Sequence, residues 1–284
     1  MKKILILTLA LAFFGWGCKP SQNIPQVAFT PVTPSGTAFL DPKGLGPDEL
    51  AGKLTLAVGS VISMKHAYSG SAVTLAKELK LGGTEAVRNI VIKRFAPGNV
   101  AEIEWSLMFK EGKTDQKITG SMIGSELGKA RDIFPPAYWI EGEQNALGTG
   151  LIWTSSQVYE NLSRSRLSTF DFGLFNSMIK QKFALSKAFT SGLKGLSSAA
   201  AADPRVDVFL AKADAEDIEL PLKVNGLDTK VKAIKARSWF GEFAVLKNPQ
   251  NPLVLYVHLN DFPQAGALNG LMNYDVTEIK DAPR

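Results

Sequence analysis

The chain has few of the residues that build disulfide frameworks and transition-metal sites. It contains one cysteine and two histidines in 284 residues. A single cysteine has no partner for an internal disulfide, and zinc or copper sites normally need more histidine and cysteine ligands. We therefore expect no metal site and no cofactor. His258 lies in an apolar run and is expected to be satisfied or at a strand edge, whereas His66 is expected at the surface.

Motifs of common enzyme classes are also missing. There is no Gly-x-Ser-x-Gly elbow, no complete phosphate-binding loop and no Gly-x-Gly-x-x-Gly turn. Ser177–Lys180 and Ser191–Lys194 have the spacing of serine–lysine catalysis but lack its partner motifs. The sequence thus predicts no catalytic residue. One alternative stays open, a hydrolase of the cell envelope with a site built from scattered acids. Closely spaced acids of this kind are Glu102 with Glu104, and Asp214 with Glu216 and Asp217.

The one cysteine follows an apolar run at the N-terminus. Residues 1–3 form a short positive start, and residues 4–14 are apolar with a single polar exception. About eleven residues are too few to cross a bilayer, which takes roughly 20, but they match the apolar region of a signal peptide. Gly15-Trp16-Gly17 then precedes Cys18. Residues 1–17 are therefore predicted to be a signal peptide.

Two fates of Cys18 are compatible with secretion. A general signal peptidase would leave it as a free thiol, which is a liability in an oxidising compartment. The other fate is attachment of lipid, because residues 1–18 resemble the signal of bacterial lipoproteins. Gly17 fits that pattern, whereas Gly15 stands where the family usually has leucine and Trp16 is unusual. The resemblance implies a mature chain that is held in a lipid bilayer through acylated Cys18.

The lipoprotein resemblance also implies a location. In lipoproteins of enteric bacteria, an aspartate after the cysteine favours retention in the inner membrane. This chain has Lys19 at that position. By analogy, we expect a cell-envelope protein on the outer membrane, facing the periplasm.

A proline-rich segment separates the cysteine from the rest of the chain. Residues 18–50 contain six prolines, which remove backbone donors and disfavour helices and central strands. We predict an extended tether over residues 18–50 and a β-rich globular body over residues 51–284. The body is predicted as one domain or as two lobes, 51–175 and 203–284, joined by a basic insertion over 176–202.

The charge pattern argues against a nucleic-acid partner. The formal net charge of +5 is mild, and nucleic-acid binding requires basic residues clustered on one face. The insertion 176–202 has lysines and phenylalanines but no acidic residue. It is interpreted either as a long connection between strands or as a segment that contacts an anionic membrane.

Strand patterns dominate the predicted body. Val100–Lys110 alternates between apolar and polar residues, and the turn Pro97-Gly98-Asn99 joins it to 88–95 as a hairpin. Ile218–Val224 also alternates and ends in Asn225-Gly226, a strong hairpin signal. Further strands are predicted over 53–63, 117–123, 150–155, 167–175, 206–212, 228–236, 239–246, 252–259 and 274–279. A helical turn is predicted over 156–162 with Ser155 or Ser156 as its cap, and 72–80 fits either a helix or a strand. The predicted fold class is mainly β, an antiparallel sandwich or curled half-barrel with few short helices.

A second resemblance concerns the C-terminal part. Leu220–Gly226 and Asn248–Leu255 are similar to segments of uncharacterised periplasmic half-barrel domains, loosely like the carriers that localise lipoproteins. The resemblance implies a concave apolar face that handles lipid or another hydrophobic ligand. We therefore expect a binding or assembly module for an apolar ligand or an envelope protein, rather than an enzyme.

Overall fold

A computed structural model of the chain describes residues 39–66, 68, 74, 76, 86–111, 114–173, 191, 194, 195, 198, 209–260 and 270–282. These residues all belong to one unit, residues 36–284. Cys18, the predicted signal peptide and most of the predicted tether lie outside the described residues. The insertion 176–202 also lies outside them, apart from residues 191, 194, 195 and 198.

Strands make up most of the described part of the chain. In chain order they are β1 (Val61–His66), β2 (Val87–Ala96), β3 (Val100–Glu111), β4 (Thr114–Ser125), β5 (Gly142–Leu147), β6 (Leu167–Thr169), β7 (Leu210–Ala213), β8 (Ile218–Val224), β9 (Leu227–Arg237), β10 (Gly241–Leu246), β11 (Val254–Leu259) and β12 (Tyr274–Lys280). The fully described helices are α1 (Pro47–Lys53), α2 (Ser156–Arg164) and the 3-10 turns Leu127–Lys129 and Pro136–Tyr138. Within the described ranges, no helix has the length and apolarity needed to span a membrane. The predicted mainly β fold with few short helices is confirmed.

Strands β1 to β5 form one arm of the sheet, in the order β5-β4-β3-β2-β1. The predicted hairpin of β2 and β3 is present, with Trp105 opposite Ile90. On the other side of β3, Trp105 lies opposite Gly120 of β4. A Cβ at position 120 would lie 2.7 Å from the Trp105 ring and 2.7 Å from the Gly142 carbonyl oxygen. Glycine at position 120 therefore lets a large buried ring pack directly on the backbone of the sheet.

Strands β8 to β12 close into a small five-stranded barrel. Each strand pairs with the next in antiparallel fashion, and β12 also pairs with β8, with Ile279 opposite Val224. Neighbours in an antiparallel series alternate in direction, so the first and fifth strands point the same way. The pair that closes the circuit must then be parallel, as it is here. Strands β7 and β6 extend the sheet beyond β9.

Strand β12 joins the arm to the barrel. Along one edge it pairs with β1, from His66–Tyr274 to Val61–Lys280. Along its other edge it pairs with β11 at Tyr274 and Asp275, and with β8 at Glu278 and Ile279. Between these two pairings, Val276 and Thr277 have no strand partner on that edge in the described part of the chain.

Both helices begin with favourable residues. In α1, Pro47 occupies the first turn, where its missing N–H is not needed. Leu50 in the same helix is completely buried. The packed body therefore begins before residue 51, within the last residues of the predicted tether. In α2, the Ser155 hydroxyl accepts a hydrogen bond of 3.3 Å from the backbone N–H of Val158. Ser155 is thus the N-cap of α2, which confirms the first of the two predicted caps, Ser155 and Ser156.

Two buried asparagines join distant segments. The side-chain amide of Asn248 donates to the carbonyl oxygens of Ala51 and Leu54, at 3.0 and 2.8 Å. These carbonyls lie at the C-terminal end of α1, where Ala51 also accepts from the Leu54 N–H at 3.3 Å but the helix supplies no donor to Leu54. The Asn251 amide also donates to Leu54, at 3.1 Å, and its side-chain oxygen accepts from Trp153 Nε1 at 2.9 Å. The β10–β11 turn therefore positions both α1 and Trp153.

Several predicted elements have different bounds. The predicted strand 53–63 is wrong in its first part, because α1 ends at Lys53 and β1 begins at Val61. The predicted strand 150–155 is a turn, in which the N–H of Trp153 donates to Gly150 at 2.7 Å and only an isolated bridge links Trp153 to Leu253. A strand needs a pairing partner as well as apolar residues. In this region the segment that pairs is β5, which is mostly polar, and not the apolar segment 150–155. Of the predicted strand 167–175, residues 167–169 form β6, 170–173 are not part of a strand, and 174–175 lie outside the described residues. The segment 72–80 lies outside them as well, apart from positions 74 and 76.

Replacement of Asn248 by alanine is expected to lower the free energy of unfolding by about 1–3 kcal/mol, because the buried carbonyl oxygens of Ala51 and Leu54 each lose one of their two donors. Urea unfolding of the purified protein measures the change. Asn145→Ala, at an exposed position of β5, is the control and should change stability by less than about 0.5 kcal/mol. Equal effects of the two substitutions would contradict the role given to Asn248.

Candidate functional site

A cleft opens in the barrel wall where β12 changes partner. Its volume is about 390 Å³, which lies within the range of small-ligand sites. Residues 275–277 of β12 form its floor, and residues of β8, β9 and β11 form its walls. Its apolar lining consists of Leu220, Pro221, Leu222, Leu255 and Val276.

The rim of the cleft is polar and charged. Lys223 Nζ lies 3.8 Å from Asp228 Oδ1, and both side chains reach solvent. Thr229 is half-buried at the wall, and Thr277 on the floor donates its hydroxyl to the Ser63 carbonyl oxygen at 3.2 Å. An apolar interior with a few polar groups at its edge suits a small apolar group with a polar end.

A second concavity lies on the solvent-facing side of the arm and is less suited to an apolar ligand. Its volume is about 490 Å³, larger than that of the cleft. Its lining from β3, β4 and β5 is mostly polar or charged, including Glu104, Ser106, Lys117, Thr119 and Glu143. We take the cleft as the candidate site because its walls are more apolar.

His258 lies beside the cleft in a cluster of charges. Its Nε2 is 2.9 Å from Asp275 Oδ1, and its Nδ1 is 4.0 Å from Glu242 Oε1. The hydrogen bond with Asp275 raises the pKa of His258 against the opposing effect of burial, and the charge of Glu242 acts in the same direction. Both ring nitrogens thus face carboxylates. These contacts favour the protonated ring and join β10, β11 and β12, in agreement with the expectation of a satisfied histidine.

Asp217, one of the candidate acids, lies in an ion network rather than in a cleft. Its carboxylate is 2.6 Å from Arg166 Nη1 and 3.3 Å from Lys247 Nζ, and Lys247 is also 2.9 Å from Asp48. Burial alone would raise the pKa of Asp217, but the hydrogen bonds from Arg166 and Lys247 outweigh it and lower the pKa. The network connects the ends of α1, α2 and β10, which is a structural role.

The other candidate residues fall in separate places. Glu102 and Glu104 lie on the solvent-facing side of β3 and pair with Arg94 and Lys93 of β2, as expected of solvated acids. The expectation of a surface His66 is wrong, because only 2% of this residue is exposed. His66 is the last residue of β1, and its side chain lies on the buried face of that strand. The surface was expected because its neighbours in sequence are polar.

In the described part of the chain, the side chains that could bind a metal do not assemble into a metal centre. No group of three His, Cys, Asp or Glu side chains in the described ranges could hold a metal ion. Cys18 and the pair Ser177–Lys180 lie outside these ranges, and Ser191 and Lys194 are exposed. No family model, curated protein or solved structure matches this chain.

Sequence reasoning did not find the cleft, since its walls come from strands that are distant in sequence. One signal was available. Pro221 interrupts an alternating strand, and a proline lacks the N–H that pairing on both edges requires. In the structure Pro221 pairs with Lys230 of β9, and β8 meets β12 only at Lys223 and Val224. The proline therefore marks the strand edge that borders the cleft.

Replacement of His258 by glutamine is expected to destabilise the protein more at about pH 5.5 than at about pH 8.5. A raised pKa means that the stabilising contribution is fully present below the ordinary histidine value near 6.5 and is lost as the pH rises through the folded-state value. Because the ring is partly exposed, the difference should stay below about 1 kcal/mol. Urea unfolding at both pH values measures it. In an Asp275→Asn background most of the difference should vanish, and an equal effect at both pH values would contradict this assignment.

Proposed function

We propose that this chain is a lipid-anchored envelope protein whose β-rich body binds a small apolar ligand, or an apolar group of an envelope partner, in the cleft between β8, β11 and β12. The observation that carries the proposal is the apolar lining of that cleft, to which Leu222, Leu255 and Val276 contribute. All three side chains are at least nine-tenths buried, yet they border open space. A concave site with an apolar lining and a few polar groups at its edge is the usual form of a small-ligand site.

The N-terminal sequence supports the anchored part of the proposal. Cys18 is the only cysteine, and it directly follows a signal-like apolar run and Gly17. The proline-rich stretch after it reaches the first described residues, near Phe39. A tether of this composition would hold the body at a distance from the lipid surface. The bilayer would then be the first partner of the protein and the cleft ligand the second.

Binding is favoured over hydrolysis by the groups around the cleft. A hydrolytic site requires a base with a free nitrogen or carboxylate near a nucleophile or a water. His258 directs both ring nitrogens toward carboxylates, and Asp275 at the cleft floor is engaged with His258. Lys223 and Asp228 at the rim face each other. These pairings leave recognition as the role that the described groups serve best.

Replacement of Thr229 by tryptophan is expected to block the cleft. The position is half-exposed in β9, where an aromatic residue is compatible with a strand, and its side chain would fill the space beside Leu222. Residues 19–284 should bind the neutral fluorescent probe N-phenyl-1-naphthylamine, and Thr229→Trp should weaken this binding by roughly tenfold or more.

The control is Thr119→Trp, which places the same ring at an exposed threonine of β4 that lines the polar concavity of the arm. It should leave the affinity for the probe unchanged. If Thr119→Trp removed binding and Thr229→Trp did not, the ligand would occupy the arm, and the assignment to the cleft would be wrong.

Replacement of Cys18 by serine is expected to remove the anchor, because serine offers no thiol for the thioether bond. Cells fed a fatty-acid analogue should label the wild-type protein, which should fractionate with membranes. The Cys18→Ser protein should carry no label and should leave the membrane fraction. A labelled Cys18→Ser protein, or an unlabelled wild type, would contradict the anchored model.

A further inference from the structure

Arg88 of β2 is a buried cation outside the cleft. Its side chain is completely buried, and it lies between Met64 of β1 and Leu107 of β3 in the sheet. Burial lowers the pKa of Arg88 to about 10, which is still well above neutral pH, so the guanidinium keeps its charge. No described Asp or Glu forms an ion pair with it. An ionised group in such a place normally has a counter-charge.

Aromatic rings surround the guanidinium. Its central carbon lies 4.3 Å from the centre of the Trp105 ring and 5.2 Å from that of Trp139. Its Nε donates to His66 Nε2 at 3.4 Å, and the His66 ring stacks on Tyr68 with centres 5.1 Å apart. Contacts with ring faces stabilise a cation, but they recover less free energy than the burial of an unpaired charge costs.

The hydrogen-bonding groups left over at this position are donors. Nη1 and Nη2 of Arg88 and Nε1 of Trp105 are buried and find no hydrogen-bond partner in the described part of the chain. Burial, followed by the charge of Arg88, lowers the pKa of His66 well below its usual value, so the ring is neutral. Because His66 Nε2 accepts from Arg88, its proton is on Nδ1, which is also buried without a partner. Among the described residues, four buried donor atoms of this cluster thus have no acceptor.

We propose that Arg88, Trp105 and His66 form a buried receptor for one carboxylate group of a small organic acid. The two terminal nitrogens of a guanidinium match the two oxygens of a carboxylate in a bidentate pair. With Trp105 and Trp139 beside the guanidinium, a planar group aligned with its edge fits better than a tetrahedral one. A single negative charge also neutralises Arg88, whereas a dianion such as sulfate would leave an excess charge in the core.

The test measures thermal unfolding of the full chain in a neutral detergent, with sodium acetate at constant pH and ionic strength. Acetate should raise the unfolding midpoint, by roughly 3 °C for each tenfold increase above its dissociation constant. Acetamide, which has the same size but no charge, should have no such effect. Sulfate should have a smaller one.

Arg88→Met removes the cation and keeps the length of the side chain. It should abolish the response to acetate and should leave the midpoint without ligand equal to or above that of the wild type, because an unpaired buried charge is lost. Arg94→Met is the matched control. Arg94 is on the same strand, but its side chain is 52% exposed and pairs with Glu102, so the response to acetate should remain. Arg88→Lys keeps the charge without the planar pair of donors and should weaken the response.

Three results would overturn the proposal. Acetate could act no more strongly than acetamide on the wild type, sulfate could act more strongly than acetate, or Arg88→Met could keep the response to acetate. A loss of stability in Arg88→Met without ligand would also contradict it, since the guanidinium would then already have a counter-charge within the chain. The comparison of acetate with acetamide on the wild type decides the question even if Arg88→Met does not fold.

Discussion

The rest of the described body depends on the pairing of strand β12. One of its edges pairs with β1, which brings β1 to β5 into the same sheet as the barrel. Its other edge pairs first with β11 and then with β8, which closes five strands of alternating direction through one parallel pair. Most residues of β1, β11 and β12 are buried or half-buried, and an unmade backbone hydrogen bond in such a place costs free energy. A change in the register of β12 would therefore open the barrel and detach the arm at the same time.

Strand β12 also helps to position both the cleft and the buried Arg88. Its change of partner exposes the backbone beside Val276 to the cleft, and the preceding Asp275, which also borders the cleft, meets His258. Arg88 lies opposite Met64, and Met64 lies opposite Val276. The buried cation and the cleft floor thus belong to one row of residues across β2, β1 and β12. Since a slip of one residue turns every side chain of a strand to the other face, the register of β1 fixes both sites.

Local signals in the sequence predicted local structure well. The alternation in β3, the hairpin at Asn225-Gly226 and the cap at Ser155 depend on residues near one another in the chain, and the structure contains all three. The buried His66, the turn around Trp153 and the cleft depend on contacts with distant segments, such as the hydrogen bond from Trp153 to Asn251. A single sequence carries no periodic pattern for such contacts, because they arise from the order in which strands pair. Pro221 was the one local signal in the sequence for the edge of β8 that borders the cleft.

Native-state hydrogen exchange with increasing denaturant tests the central role of β12 most directly, because it measures the opening free energy of each backbone amide. We predict that the hydrogen-bonded amides of β1, β11 and β12 exchange only through global unfolding and share one free energy. An opening of β12 at a lower free energy than the hairpin of β2 and β3 would contradict the account. It would mean that the arm and the barrel are held together by something other than this strand.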